Sequence, residues 1–430
     1  MAQRDVAIGL LGLGTVGMGV YRLLQERQER ITAAVGVRPV VKKILVRDRS
    51  RARLGIDDGL LANSFEEIAN DRDIQLVVEV VGGRDPAFRY AKETLSGGKH
   101  LVMANKELLA TRGEELLRIA RRRNVDLLFE AAVAGGIPII RAMHESLSGD
   151  KVQRIQGIIN GTTNYIITRM TDEGQAYARA LKDAQLHGYA EADPTNDVDG
   201  IDAAYKLAIL AGIAYRTNVR MKDVHHEGIR NLHPEDIEYS RELGYVVKLL
   251  AEASDRDGAL ELSVAPSLIP LKHPLAAVKD AFNAVLVRAE WAGELMFYGA
   301  GAGQRPTASA VVADIVKVLH HIQTGSVGTL PTPPSEQRAV RRLDEREARF
   351  YLRLRVADEP GVLAAVALIL ARENISVQCV IQKGRHADDV VDVVFLTHEA
   401  LERNMRRALQ KFRLLPAVRE VAAMLRVRGD

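Results

Sequence analysis

Residues 6–24 read VAIGLLGLGTVGMGVYRLL, and this stretch decides the fold of the amino-terminal domain. Val6–Leu11 is a short apolar run with the character of a strand. Gly12, Gly14 and Gly17 follow in the pattern GLGTVG, and Val20, Leu23 and Leu24 then continue as a helix. The order strand, glycine turn, helix has a mechanism. The first glycine turns tightly, the second lets the backbone approach a pyrophosphate, and the third lets helix pack on strand. The helix start offers free N–H groups and a positive dipole end to the phosphates. Gly12, Leu13, Gly14, Thr15, Val16 and Gly17 are therefore expected to bind a dinucleotide. The spacing alone is weak evidence; its place directly after a strand makes it informative.

Further strands extend the pattern. Val40–Val46 ends in Arg47, Asp48 and Arg49. An acid here favours the ribose 2′-hydroxyl of NAD and an arginine the 2′-phosphate of NADP. Both types stand here, and the arginines favour NADP. Leu76–Val81 ends in Gly82-Gly83, and Lys99–Met103 ends in Ala104-Asn105-Lys106. Both endings fall at the carboxyl edge of a parallel sheet, where ligands bind in such folds. Lys106 is thus a candidate beside the nicotinamide. Val125–Phe129 gives another strand before Glu130, with Gly135-Gly136 and Pro138 opening a helix. Ile155–Ile159 precedes Asn160-Gly161-Thr162-Thr163-Asn164.

The segment Leu186–Leu210, LHGYAEADPTNDVDGIDAAYKLAIL, carries the densest chemistry. Glu191, Asp193, Asp197 and Asp199 fall in a Gly/Pro/Asn-rich stretch, and the helix that follows holds Asp202 and Lys206. Their i,i+4 spacing puts them on one face. A carboxylate beside an amine, next to an acidic loop, suits a site that binds an ammonium group and moves a proton. The ordinary alternative is a solvated pair worth about 0.2–0.5 kcal/mol.

Composition excludes several classes. The chain has 430 residues and a net charge of +3, from 59 basic and 56 acidic residues, too balanced to argue for nucleic acid or an acidic membrane. Cys379 is the single cysteine, so a disulfide framework is not expected and a reducing cytoplasm fits. No uncharged run approaches the roughly 18 apolar residues of a membrane span.

After Trp291 the run YGAGAGQRPTASAVVADIV, residues 298–316, leads into a helix from about Pro306. That helix, about 306–321, is expected to return to the nucleotide domain. Thr324–Arg338, TGSVGTLPTPPSEQR, reads as a linker. Beyond it, strands at 350–356, 375–381, 390–397 and 421–427 alternate with helices ending near Asn374 and spanning 399–411. The order is βαββαβ, a ferredoxin-like unit.

The expected architecture is α/β. A Rossmann-like dinucleotide-binding domain takes residues 1–130, and an α+β catalytic and dimerisation domain residues 131–323. A linker takes 324–348 and an independently folded ferredoxin-like unit 349–430.

The chain resembles homoserine dehydrogenase. The carrying residues are GLGTVG at 12–17, EVVGG at 79–83, ANKELLA at 104–110, EAAVAGGIPII at 130–140, GIINGTTNYI at 157–166 and GYAEADPTNDVDGIDAAYK at 188–206. The resemblance implies interconversion of L-homoserine and L-aspartate 4-semialdehyde with NAD or NADP. It implies Lys206 as proton donor, Asp202 as its substrate-binding partner, and Glu191 and Asp197 in the substrate loop. Lys106 falls near cofactor and substrate. A sodium site maps to Glu130 and the carbonyls of Val133, Gly135 and Ile137, with Gly188 and Gly303 near that site or the cofactor. The tail resembles an ACT domain, with Asp358, Pro360, Gly361 and Val362 in its ligand-binding turn. Threonine is the implied effector, and a cytoplasmic homodimer or homotetramer the implied assembly. The rival reading is a catalytically silent amino-acid sensor that keeps the nucleotide fold.

Overall fold

The structure, a computed structural model, describes residues 4–49, 55–328, 337–383 and 390–429. Two compact units share the chain. The first comprises Met1–Val152, Tyr205–Lys222 and Val287–Gln337; the second comprises Gln153–Ala204, Asp223–Leu286 and Arg338–Asp430.

The first unit is built on a parallel sheet of β1 (Asp5–Leu11), β2 (Arg38–Leu45), β3 (Leu61–Ala62), β4 (Ile74–Glu79), β5 (His100–Met103) and β6 (Leu127–Leu128). Their order is β3-β2-β1-β4-β5-β6. This doubly wound order reverses between β1 and β4, the crevice where such folds bind dinucleotides. Val6, Ile8, Leu10 and Leu11 are fully buried, because helices cover both faces of a parallel sheet. The late helix Gln304–Thr324 packs here, with Ala308, Val311, Ile315 and Leu319 in one core with Val20 and Leu24. It begins at Gln304, two residues before the proline.

The second unit's main strands are β7 (Val152–Ile158), β8 (Tyr245–Arg256), β9 (Ala259–Pro270), β10 (Phe282–Ala289), β11 (Glu347–Ala357), β12 (Val377–Lys383), β13 (Val390–Thr397) and β14 (Val418–Val427). They run in the order β10-β7-β8-β9-β14-β11-β13-β12. Within this run, β14-β11-β13-β12 with helices Val362–Arg372 and Glu402–Phe412 is the ferredoxin-like arrangement. Phe350, Phe395, Met405 and Phe412 form its core. The β8–β9 hairpin is the longest pairing and was not expected from the periodicity. Its signal is Asp257-Gly258, both at positive φ (54° and 80°), the requirement of a two-residue hairpin turn.

The carboxyl-terminal strands join the sheet of the second unit. Residues 329–336 of the expected linker lie outside the described residues. After them the chain joins the second unit at once: Leu260 donates to Ala339 O and accepts from Arg341 N, and β14 pairs in parallel with β9 at Ser267–Arg426 and Leu268–Val427. Buried Asp236 accepts from Tyr351 Oη at 3.0 Å and from Arg353 Nε at 2.7 Å. Local periodicity shows a strand; it does not show which sheet edge that strand will occupy. Among the described residues no helix is long and apolar enough to cross a membrane.

Candidate active site

At the nucleotide end, Gly12 sits at φ +97° and donates its N–H to Leu45 O, which ties the turn to the end of β2. A Cβ at Gly17 would lie 2.2 Å from Gly12 O, so only glycine lets the helix Thr15–Glu26 start this close to the turn. Gly14 is the N-cap. No side chain caps the helix, and its first turn carries no acid. The uncapped N–H groups are available to an anion. Leu13 and Val16 are half-buried; Gly14 and Thr15 are exposed. Gln304 donates to Thr15 O at 3.0 Å, which brings Gly303, the N-cap of its helix, beside the same turn. Arg47, Asp48 and Arg49 are exposed just past β2, and Arg49 reaches Asp58 O at 3.1 Å.

Lys106 is the first residue of the helix Lys106–Arg123 and is half-buried. Asn105 caps that helix by accepting from Leu108 N at 3.1 Å, and its amide donates to Gly83 O at 2.6 Å. The endings of β4 and β5 are thereby tied together at the carboxyl edge.

The loop after Glu130 tests the expected cation site. Burial pushes the Glu130 carboxyl pKa up, against bonds from Arg141 N and Ile140 N, both 2.8 Å. Its side chain therefore anchors the next helix start. Ala134 and Gly135 both take positive φ (56° and 52°), turning the chain sharply between Val133 and Ile137. Ile137 O already accepts from Ile139 N at 2.8 Å. No group of three or more His, Cys, Asp or Glu gathers for a metal among the described residues. The donor set fits a hard, weakly held cation resting on backbone oxygens, and does not fit a transition metal.

In the second unit, Asn160 gathers the acidic loop. Its amide donates to Asp197 Oδ1 at 2.7 Å and Asp202 Oδ2 at 2.9 Å, while its own carbonyl accepts from Thr163 N at 2.8 Å and caps the helix Gly161–Glu173. Asn160 was not among the expected site residues. The signal was available: an asparagine at a strand end, before a glycine and two threonines. Thr162 donates to Tyr189 O at 2.6 Å, pinning the start of the loop. Arg230 donates to Asp199 Oδ1 at 2.5 Å and to Thr195 Oγ1 at 3.2 Å, pinning its end. Glu191 and Gly188 are exposed, Gly188 just beyond the helix Tyr177–Leu186.

Asp202 and Lys206 lie one turn apart on the helix Ile201–Ala214 and are 6% and 8% exposed. Neither side chain is solvated, so the two differ from an exposed salt bridge on a helix surface. In the tail, Asp358, Pro360, Gly361 and Val362 form the turn between β11 and the helix Val362–Arg372. Gly361 is at φ +93°, Pro360 is exposed and Val362 is buried.

Comparison with known proteins agrees with this layout. A family profile described as homoserine dehydrogenase, NAD binding domain, matches residues 12–130, and one described as homoserine dehydrogenase matches residues 138–316. The homoserine dehydrogenase of Bacillus subtilis (strain 168) is 41% identical over 433 residues, covering 100% of this chain and 99% of the relative. The crystal structure of a homoserine dehydrogenase from Thiobacillus denitrificans superposes with a TM-score of 0.94 at 41% identity, covering 99% of each chain. A hyperthermophilic archaeal homoserine dehydrogenase solved in complex with NADPH gives a TM-score of 0.62 at 30% identity, over 73% of this chain and 97% of the other. A nucleotide turn on a doubly wound sheet, a buried Asp–Lys turn beside an acidic loop, and identity along the full length together place the chain in the homoserine dehydrogenase family, a family of NAD(P)-dependent oxidoreductases.

Proposed function

We propose that Lys206 is the group that exchanges the proton in the interconversion of L-aspartate 4-semialdehyde and L-homoserine. The observation that carries this assignment is the burial of Lys206 one helical turn from buried Asp202. Bound nicotinamide supplies or accepts the hydride. In reduction, the Lys206 ammonium donates a proton to the carbonyl oxygen as it becomes the hydroxyl of homoserine; in oxidation it takes that proton back. Asp202, held by Asn160, orients the lysine and the substrate. Asp197, on the same amide, and Glu191 face the amino-acid end with their negative charge. Lys106 places a positive charge at the nicotinamide side.

The cofactor of choice is NADP, through Arg47 at the end of β2, a reading supported by the archaeal relative solved with NADPH. The carbonyls of Val133, Gly135 and Ile137 near Glu130 would hold a sodium ion, which would order the loop rather than take part in chemistry. The tail is an ACT domain that binds threonine at its 358–362 turn. The enzyme works as a cytoplasmic homodimer or homotetramer. The silent-sensor alternative is disfavoured by the intact, buried Asp202 and Lys206.

Turnover of NADPH with aspartate semialdehyde tests the central assignment. Lys206→Ala is expected to lower kcat by about 10²-fold or more, the usual scale for a lost general acid, with NADPH affinity nearly unchanged. Parent-like turnover in the variant would return Lys206 to a structural role.

A further inference from the structure

Glu79, the last residue of β4, is fully buried, and nothing above uses it. Its Oε1 accepts from Val81 N at 2.7 Å and from Gly82 N at 3.2 Å. Its Oε2 is buried with no hydrogen-bond partner. Burial pushes its pKa up, against the two backbone bonds to Oε1. The loaded oxygen acts as an acceptor that holds the backbone around it.

What it holds is the mouth of the cofactor crevice. Gly82 and Gly83 take positive φ (78° and 73°), and a Cβ on either would meet nothing within 4 Å, so this turn faces open space. The turn borders the glycine-rich loop: Val80 N donates to Leu11 O, and a Cβ on Gly12 would meet Val80 O at 3.1 Å. Gly83 O in turn takes the Asn105 amide, and Asn105 caps the helix that begins at Lys106. One buried carboxyl therefore fixes two structures at once: the open turn after β4 and the helix start after β5.

We propose that Glu79 is a positioning residue for hydride transfer, clamping the Gly82-Gly83 turn and, through Asn105, the Lys106 helix start against the nicotinamide end of the cofactor. The proposal rests on the assignment of Lys106 to that end. It differs from a phosphate-binding role, because residues 12–17 hold the other part of the cofactor.

The test uses Glu79→Leu, Glu79→Gln and Lys106→Ala in the full chain, with kcat, KM, NADPH affinity by fluorescence titration, and the pH profile of kcat. Small misplacements at a reacting centre cost on the order of 10²-fold. Glu79→Leu is therefore expected to lose about 30-fold or more in kcat while NADPH affinity moves less than about 3-fold. Glu79→Gln keeps an acceptor for the same N–H groups. It is expected to stay within about 3-fold of the parent rate with an unmoved pH profile. A folded Leu variant with near-parent kcat overturns the proposal, and so does a Gln variant that falls as far as the Leu variant. Should the Leu variant fail to fold, Asn105→Ala takes its place: lost kcat with retained NADPH affinity supports the clamp, and a parent-like rate overturns it. Parent-like turnover in Lys106→Ala would sink the Lys106 assignment alone, leaving the Glu79 variants to judge the clamp on the glycine turn.

Discussion

Arg426, on the last strand, is expected to be one of the most costly side chains in the molecule to remove. Its guanidinium is 2% exposed and lies between two carboxylates. It donates to Glu402 Oε2 at 2.9 Å and Oε1 at 2.6 Å, and to Glu227 Oε2 and Oε1, both at 2.9 Å. Burial works against its charge, but the two carboxylates outweigh burial and hold its pKa above the ordinary arginine range. Arg426→Met leaves Glu402, 1% exposed, with its buried partner gone and Arg406, 46% exposed and 3.5 Å away, beside it. Breaking a buried pair in this way costs about 3–5 kcal/mol. Glu227 is 33% exposed, so its share is small after solvent screening. A loss of that size is a large part of the roughly 5–15 kcal/mol that holds a typical protein folded. Urea unfolding followed by circular dichroism measures it. Adding Glu402→Met should recover most of the loss, since the stranded charge then goes too. An Arg426→Met variant within about 1 kcal/mol of the parent would refute this reasoning.

The pH dependence of the same network has a definite sign. Burial raises the Glu227 pKa, but bonds from His225 and Arg426 outweigh it and hold the carboxyl far below its ordinary 4.5. Stability from a depressed carboxylate is full above the unfolded pKa and is lost as pH falls through the folded value. Glu227→Gln should therefore cost stability at pH 7 and converge on the parent in acid. A chain ending at Gln337 loses Arg426, Arg353 and the strand beside β9 together. It is expected to be unstable.

Three further outcomes are expected. Arg47→Ala should weaken NADPH more than NADH, with NADPH used at least as well as NADH by the parent; equal losses for both would remove Arg47 from the cofactor site. L-Threonine should lower activity, and Gly361→Asp should relieve it by crowding an open turn with a charge that repels a carboxylate, a coupling of about 1–3 kcal/mol; undiminished inhibition in the variant would place the effector elsewhere. Lys248, with its pKa lowered to about 8 by burial, is neutral in the fold yet charged in the unfolded chain between about pH 8 and its ordinary 10.5, so stability should rise with pH across that window. Lys248→Met should flatten that rise, and an unchanged pH–stability slope would show that Lys248 does not titrate there.

The parts that were legible in the sequence are those in which one local segment carries its own physics. The glycine turn at 12–17 states its strand, its turn and its helix start within a few residues, and the structure has β1, the turn at Gly12 and the helix from Thr15 in that order. The Asp202–Lys206 spacing was legible for the same reason, since helical periodicity alone sets it. Its burial was not, because burial depends on what the rest of the fold packs against that face. Asn160 lies 42 residues from Asp202 in sequence, so no periodicity joins them; only the fold brings one amide to two carboxylates.

The tail shows the same limit on a larger scale. Its βαββαβ order was readable because each strand and helix has its own pattern, and a Pro/Gly-rich stretch before it suggested separation. Attachment, however, is decided by pairs such as Arg426 with Glu227, 199 residues apart, and Arg353 with Asp236, 117 residues apart. In the sequence each of these is one more charged residue on a strand or beside a helix. Their meaning follows from burial, which turns a pair worth little in water into one that is costly to break. The link from tail to acidic loop is short: Glu227 is followed by Gly228, where a Cβ would meet Val198 O at 2.3 Å, by Ile229, whose N–H donates to Val198 O, and by Arg230, which holds Asp199. The helix bearing Glu402 and the acidic loop are thus joined by a short series of direct contacts, buried at Arg426 and half-exposed to exposed from Glu227 to Arg230.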